Sequence, residues 1–92
     1  MSHTVTINWT ASVDAVQSYN VYRSTVSGAE IPPFINSAPI TADTYTDIVP
    51  SPGIYYYVVT SVENGAESVH SAEISAAVLP FPPTNVVLGT IV

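Results

Sequence analysis

Ser68, His70 and Ser71 lie close together in the chain and are residue types that serine hydrolases combine. A serine becomes a nucleophile only when a positioned base takes its proton, and the turn that presents it usually carries glycines on both sides. Residues 67–71 contain no glycine, and no third group in this segment would orient the histidine. The sequence therefore predicts no catalytic residue, and we expect the chain not to be an enzyme.

Three acids, Glu30, Asp43 and Asp47, could supply the carboxylate oxygens that Ca²⁺ prefers. Solvated acids in loops and turns explain the same residues equally well. His3 and His70 have no helix-spaced partner, and the chain contains no cysteine, so neither histidine belongs to a recognisable transition-metal motif. We predict no metal site and no cofactor.

The charge balance limits the possible partners. Arg23 is the only Lys or Arg side chain, and the formal net charge is −6. This charge repels the phosphates of nucleic acids and of anionic lipids, so we expect no nucleic acid and no membrane as partners. Only 9% of the residues are charged, which favours contacts with other protein subunits, including copies of the same chain in a homo-oligomer.

The N-terminal residues give no targeting signal. Met1 is followed at once by an alternating strand pattern instead of a basic segment and an apolar segment, so we predict no signal peptide and synthesis in the cytoplasm. No apolar run approaches the roughly 18 residues that a membrane span requires.

The longest strand signal covers residues 53–62, which contain three tyrosines and three valines. With a period of two, Tyr55, Tyr57 and Val59 share one face, and Tyr56 and Val58 share the other. Both faces carry large apolar groups, which predicts a central strand covered on one side and half covered on the other.

Shorter strand patterns surround this central one. We predict strands at residues 4–9, 19–23, 34–36, 44–48 and 73–79, with turns between them rich in Pro and Gly. The loop valines Val13 and Val16 are expected to anchor residues 10–18 to the body. The residues predicted to form the core are Trp9, Tyr19, Val21, Tyr45, Tyr55, Tyr57, Val59 and Ile74. Tyr22 and Tyr56 are predicted on the outer sheet face, where they would pack or contact a partner or a sugar.

Six to seven short antiparallel strands in fewer than 80 residues predict an all-β, immunoglobulin-like sandwich. The segments 5–9, 19–23, 44–47, 55–60, 65–68 and 71–76 resemble, in order and spacing, the fibronectin type III domain of bacterial and phage proteins. This resemblance implies that Trp9 is the core tryptophan of the second family strand. It also implies that the Tyr55 hydroxyl bonds to nearby backbone, and that the domain has no catalytic activity.

The sequence departs from the family pattern at both ends. Residues 1–79 match the sandwich without its first strand, and residues 80–92 form a Pro-rich linker with an apolar, strand-like tail. We expect an assembly interface in which the tail fills the empty position, either in a neighbouring copy or on its own sheet. A domain boundary that falls inside a longer chain would explain the same pattern. The predicted interface residues are Val5, Ile7, Val86, Val87, Leu88, Ile91 and Val92.

Two functions follow from this interpretation. The first is a structural subunit of a virion, such as a capsid decoration or tail protein, or of a filament built by strand exchange. The second is an accessory binding or spacer module of a secreted bacterial enzyme or adhesin. Either function places the protein in a virion or another extracellular assembly.

Overall fold

A computed structural model describes residues 2–92 and contains six antiparallel strands. In chain order they are β1 (His3–Asn8), β2 (Ser18–Ser24), β3 (Thr44–Val49), β4 (Gly53–Glu63), β5 (Ala66–Glu67) and β6 (Ile74–Val78). The predicted all-β sandwich is confirmed. Within residues 2–92, no helix is long and apolar enough to cross a membrane.

The strands form two sheets that face each other. β1 pairs with β3 in a two-stranded sheet, and β4 lies at the centre of a four-stranded sheet. β2 pairs along one edge of β4, while β5 and β6 pair successively along its other edge. The 11-residue β4, predicted as the central strand, therefore connects every element of the larger sheet.

A tight hairpin joins β4 to β5. Its two-residue loop is Asn64-Gly65, and both residues have positive φ, 51° and 77°. This combination is the type I′ geometry whose twist matches that of the flanking strands, and glycine adopts it without steric cost.

The core lies between the sheets. Its buried residues are Ile7, Tyr19, Val21, Ile40, Val49, Tyr55 and Tyr57. Trp9, Tyr45 and Val59 are half-buried and pack against this cluster. The Trp9 and Tyr19 rings meet edge to face with their centroids 5.3 Å apart, a geometry that aromatic pairs favour. The Tyr55 hydroxyl donates to the Ser51 carbonyl at 2.6 Å, so it bonds to nearby backbone as the family resemblance implied.

Asp47 connects the two sheets through one buried carboxylate. Its Oδ2 accepts from the Arg23 guanidinium and from the Tyr57 hydroxyl, each at 2.7 Å. Asp47 lies on β3, whereas its two donors lie on β2 and β4 of the other sheet. The Arg23 guanidinium also lies over the Tyr55 ring, 5.8 Å from its centroid. Because buried charges are costly unless paired, these contacts make Asp47 tolerable and fix how the sheets align.

Tyr22 is not on the surface, which corrects the prediction. Its side chain is 3% exposed because Phe34 and His70 cover it, with ring centroids at 6.1 and 5.1 Å. The β2–β3 connection and the segment before β6 thus form a second layer over the outer face of the larger sheet. Tyr56, on the same face, is half-buried.

Residues 34–36 do not form the predicted edge strand. Ile35 donates its backbone N–H to the Val21 carbonyl, but the Asn36 side chain, not its backbone, accepts from the Val21 N–H. Pro33 and Pro39 flank the segment and lack a backbone N–H, so a continuous ladder cannot extend through it. A side chain therefore completes the pairing of the β2 edge.

Two further predictions of burial are wrong. Ile74 is 48% exposed because it begins the edge strand β6 and extends past the core. Val13 is fully exposed, and Val16 alone packs on the core from its loop. Ile7, predicted as an interface residue, is 4% exposed and belongs to the core.

The expected strand-like tail forms no strand. Residues 79–92 carry no regular structure, and all of them are exposed. The molecule measures 70 Å along its longest axis against 24 and 21 Å across, which agrees with a tail that extends away from the body. An isolated strand has no partner for its backbone groups, so apolar alternation alone does not produce one.

Replacing Asp47 with alanine should destabilise the fold by about 2–4 kcal/mol, because Arg23 and Tyr57 then lose their shared acceptor. Arg23 is partly exposed, which keeps the loss below that of a fully buried pair. Chemical denaturation of Asp47→Ala and of Asp43→Ala, whose side chain is exposed, provides the comparison. Equal stabilities of the two variants would contradict the role of Asp47.

Candidate functional site

The two serines that first suggested chemistry serve the backbone instead. Ser68 Oγ accepts from the Ser61 N–H at 3.0 Å and donates to the Val69 carbonyl at 2.8 Å. Ser71 Oγ accepts from the Val59 N–H at 2.9 Å and donates to the Ala72 carbonyl at 3.0 Å. Between β5 and β6 these hydroxyls replace the missing ladder bonds on the edge of β4. Because each hydroxyl proton is already donated, neither serine is placed for nucleophilic attack.

One carboxylate oxygen of Glu67 accepts three hydrogen bonds. Its Oε2 accepts from the Thr60 hydroxyl, the Tyr22 hydroxyl and the Asn20 amide. The bond from Thr60, followed by that from Tyr22, lowers the pKa of Glu67 below its ordinary value of 4.5. Burial, with the bond to Glu67, raises the pKa of Tyr22 to about 12. The carboxylate therefore stays ionised as the acceptor that holds the outer layer together.

Glu30 and Glu73 are two neighbouring carboxyl groups with opposite pKa shifts. Glu73 accepts from the Ser27 hydroxyl at 2.6 Å and from the Gly28 N–H at 2.7 Å, and these bonds lower its pKa. Glu30 is 4% exposed, and its burial raises its pKa, as does the neighbouring carboxyl of Glu73. Among residues 2–92, the buried Oε2 of Glu30 has no hydrogen-bond partner. A proton held between the two carboxyls would satisfy it, since neighbouring carboxylates repel each other.

The three acids considered for a cation do not come together. Asp47 bonds to Arg23 and Tyr57, Glu30 faces Glu73, and Asp43 is exposed. In the described part of the chain, no group of three His, Asp or Glu side chains is arranged to hold a metal ion.

A cavity of about 180 Å³ lies at one end of the sandwich, between Trp9, Tyr19 and Val69. Serine and threonine side chains form the rest of its lining. The hydroxyls of Ser68, Ser71 and Tyr19 already bond to backbone groups. The Trp9 indole N–H is buried and finds no acceptor within residues 2–92. The lining thus offers a ligand few free polar groups.

A larger groove separates the open edges of β1 and β6. Its volume is about 460 Å³, and its lining residues are Ser2, His3, Thr4, Val5, Ala76, Ala77, Val78, Leu79 and Phe81. The rings of His3 and Phe81 stack with centroids 4.0 Å apart at one end of the groove. In the described chain β1 pairs only with β3, and β6 only with β4. This groove exposes two unpaired strand edges over an apolar floor.

The predicted interface residues fall into three places. Val5 lines the groove, Ile7 lies beneath it in the core, and the five apolar tail residues are 74–116% exposed, away from the body. Sequence reasoning did not identify Phe81 or Ala76 as groove residues. The strand pattern of residues 73–79 predicted a strand but not its neighbours. The pairing of β6 with β4 shows that the other edge of β6 has no partner strand in the described chain.

No family model matches the chain, but comparisons with solved structures and with known proteins find relatives. An Fn3-like protein from Clostridium thermocellum has a similar structure, with a TM-score of 0.67 and 39% sequence identity. That match covers 87% of this chain and 81% of the other. The amylopullulanase of Thermoanaerobacter thermohydrosulfuricus is 42% identical over 74 residues, which are 78% of this chain and 5% of that enzyme.

The Glu67 cluster predicts acid sensitivity. A lowered folded-state pKa stabilises the fold above the unfolded value of 4.5, and the stabilisation disappears as the pH falls through the folded value. Glu67→Gln should therefore lower the melting temperature at pH 7 and flatten its decline below about pH 4.5. Glu63→Gln, at the exposed end of β4, is the matched control. If the melting temperatures of wild type and Glu67→Gln fell in parallel as the pH is lowered, the stabilising role of the Glu67 carboxylate would be refuted.

Glu30 predicts the opposite pH dependence to Glu67, because its pKa is raised. A raised folded-state pKa contributes stability below the unfolded value of 4.5, which is lost as the pH rises through the folded value. Glu30→Gln supplies a permanent N–H donor to Glu73 and should raise stability at pH 7 by about 1 kcal/mol, with a smaller gain near pH 4. Denaturant titrations at both pH values measure the difference, and a loss of stability at pH 7 would exclude the shared proton.

Proposed function

Because the chain belongs to the fibronectin type III-like family, we propose that it is a non-catalytic accessory module. In this role a small β-sandwich makes protein–protein contacts within a larger extracellular protein. One observation carries the proposal: a sequence 42% identical to most of this chain forms only 5% of a much longer enzyme. A segment of that size supports a role beside a catalytic domain and not as one.

The contacts within residues 2–92 support the absence of catalysis. The Ser68 and Ser71 hydroxyls bond to backbone groups, and the His70 ring packs against Tyr22. The carboxylates of Asp47 and Glu67 bind donors that belong to the fold. These side chains all have structural partners, so none of them is free to act as a base or nucleophile on a bound substrate.

The amylopullulanase also suggests where the module would work. Its name states that it acts on starch-type and pullulan polysaccharides, which are too large to cross a membrane. A module that accompanies such an enzyme would work outside the cell, as a spacer or contact element beside a domain that cleaves the polymer. A virion subunit, the first function predicted from the sequence, draws no support from either relative.

Gene context and an activity assay test this proposal. We expect the reading frame to encode a polysaccharide-acting domain together with this chain, and the purified chain to release no reducing sugar from pullulan. A stop codon directly after Val92 among virion genes would contradict the module. Release of reducing sugar above that of a heat-denatured sample would contradict the non-catalytic role.

A further inference from the structure

We propose that the carboxyl groups of Glu30 and Glu73 form a weak binding site for a divalent cation of the Ca²⁺ type. The site lies where the β2–β3 connection meets the residue directly before β6. It does not depend on the enzyme context above, because it rests on a buried acid, on its acidic neighbour and on the shortage of basic side chains.

The buried acid is Glu30. It is 4% exposed, and its Oε2 has no hydrogen-bond partner within residues 2–92. A buried carboxylate is costly unless it is protonated, paired with a positive charge or bound to a metal ion. The neighbouring carboxyl of Glu73 makes this requirement stronger, because two negative charges would otherwise lie side by side.

No Lys or Arg side chain is left to neutralise the two acids. Arg23 is the only one in the sequence, and its guanidinium already binds Asp47 at 2.7 Å. His70 is the remaining titratable group near Glu30, but its ring packs against Tyr22. The positive charge that the two carboxyls lack therefore has to come mainly from solution, as a proton or as a cation.

The loop that carries Glu30 also holds Glu73 in position. The two carboxylate oxygens of Glu73 accept from the Ser27 hydroxyl at 2.6 Å and from the Gly28 N–H at 2.7 Å. Gly28 has a φ of 78°, a left-handed conformation that glycine adopts without steric cost. Each oxygen keeps a further acceptor site beside its hydrogen bond, so the carboxylate can still bind a cation.

These donors favour a hard cation. Two carboxylates, the Ser27 hydroxyl oxygen and solvent water make an all-oxygen set, which suits Ca²⁺ because its coordination tolerates irregular geometry. The sequence suggested Asp43 and Asp47 as the companions of Glu30, whereas the structure brings Glu73 beside it. With only two carboxylates, we expect a dissociation constant of about 0.1–1 mM, the range of weak calcium sites in extracellular modules.

Melting temperatures with and without calcium test the site. A cation that binds only the folded chain stabilises it, so about 10 mM CaCl₂ should raise the melting temperature of the wild type by about 5 °C or more over an EDTA buffer of equal ionic strength. Glu30→Gln should lose most of this shift. Because this variant is expected to be at least as stable as the wild type without calcium, a folding defect would not explain the loss. Asp43→Asn, which removes an exposed carboxylate elsewhere, should keep the wild-type shift.

Two results of this comparison would overturn the proposal. If calcium does not shift the melting temperature of the wild type, the Glu30 carboxyl is satisfied by a proton and not by a cation. If the wild type and both variants show equal shifts, calcium acts on the acidic surface as a whole, which carries a net charge of −6, and not on this pair of carboxyls.

Backbone amide chemical shifts locate the cation. When the full chain is titrated with CaCl₂, the proton–nitrogen correlation signals of residues 27–30 and of Glu73 should move together and saturate with one dissociation constant. The signal of Asp43 should not follow them. In Glu73→Gln, residues 27–30 should show no saturating change. Shifts that do not saturate by about 10 mM CaCl₂, or that saturate at another group of acids, would each overturn the assignment.

Discussion

One buried carboxylate organises the relation between the two sheets. Asp47 projects from β3 toward the larger sheet and meets Arg23 and Tyr57 there, each at 2.7 Å. Arg23 is the only Lys or Arg in the chain, so no other such side chain can replace it. Hydrophobic contacts between sheets tolerate sliding, whereas a carboxylate shared by two donors accepts one geometry only. The aliphatic and aromatic core then packs around the alignment that this bridge specifies.

On the outer face of the larger sheet, polar side chains also hold separate segments together. A sheet face in a small domain is often left to solvent, but here Tyr22, Val58 and Thr60 are buried beneath the flanking loops. Those loops cannot make regular ladders, so side chains satisfy the backbone in their place: Asn36 accepts from β2, and Ser68 and Ser71 accept from β4. Polar residues that suggested catalysis or solvation thus serve mainly to complete an irregular second layer.

The two lateral sides of the sandwich differ. On the side of β2 and β3, the Arg23–Asp47 pair closes the gap between the sheets. On the side of β1 and β6, a groove of about 460 Å³ remains with both strand edges unpaired in the described chain. This asymmetry leaves one side of the described chain more open than the other, next to the point where the apolar tail departs. Away from this groove, the polar side chains of Asp47, Ser68 and Ser71 are bonded within the fold.

Local sequence determined the five longer strands, the hairpin turn and most of the core, because alternation and turn chemistry act over a few residues. Residues 53–62 predict β4, Asn64-Gly65 has the residue types that a type I′ turn favours, and Tyr19, Val21 and Tyr57 lie on an inward face. Tertiary structure alone decided the burial of Tyr22, the structural roles of Ser68 and Ser71 and the proximity of Glu30 to Glu73. Each of these depends on contacts between segments distant in the chain, and periodicity carries no information about which edge or face another segment will cover.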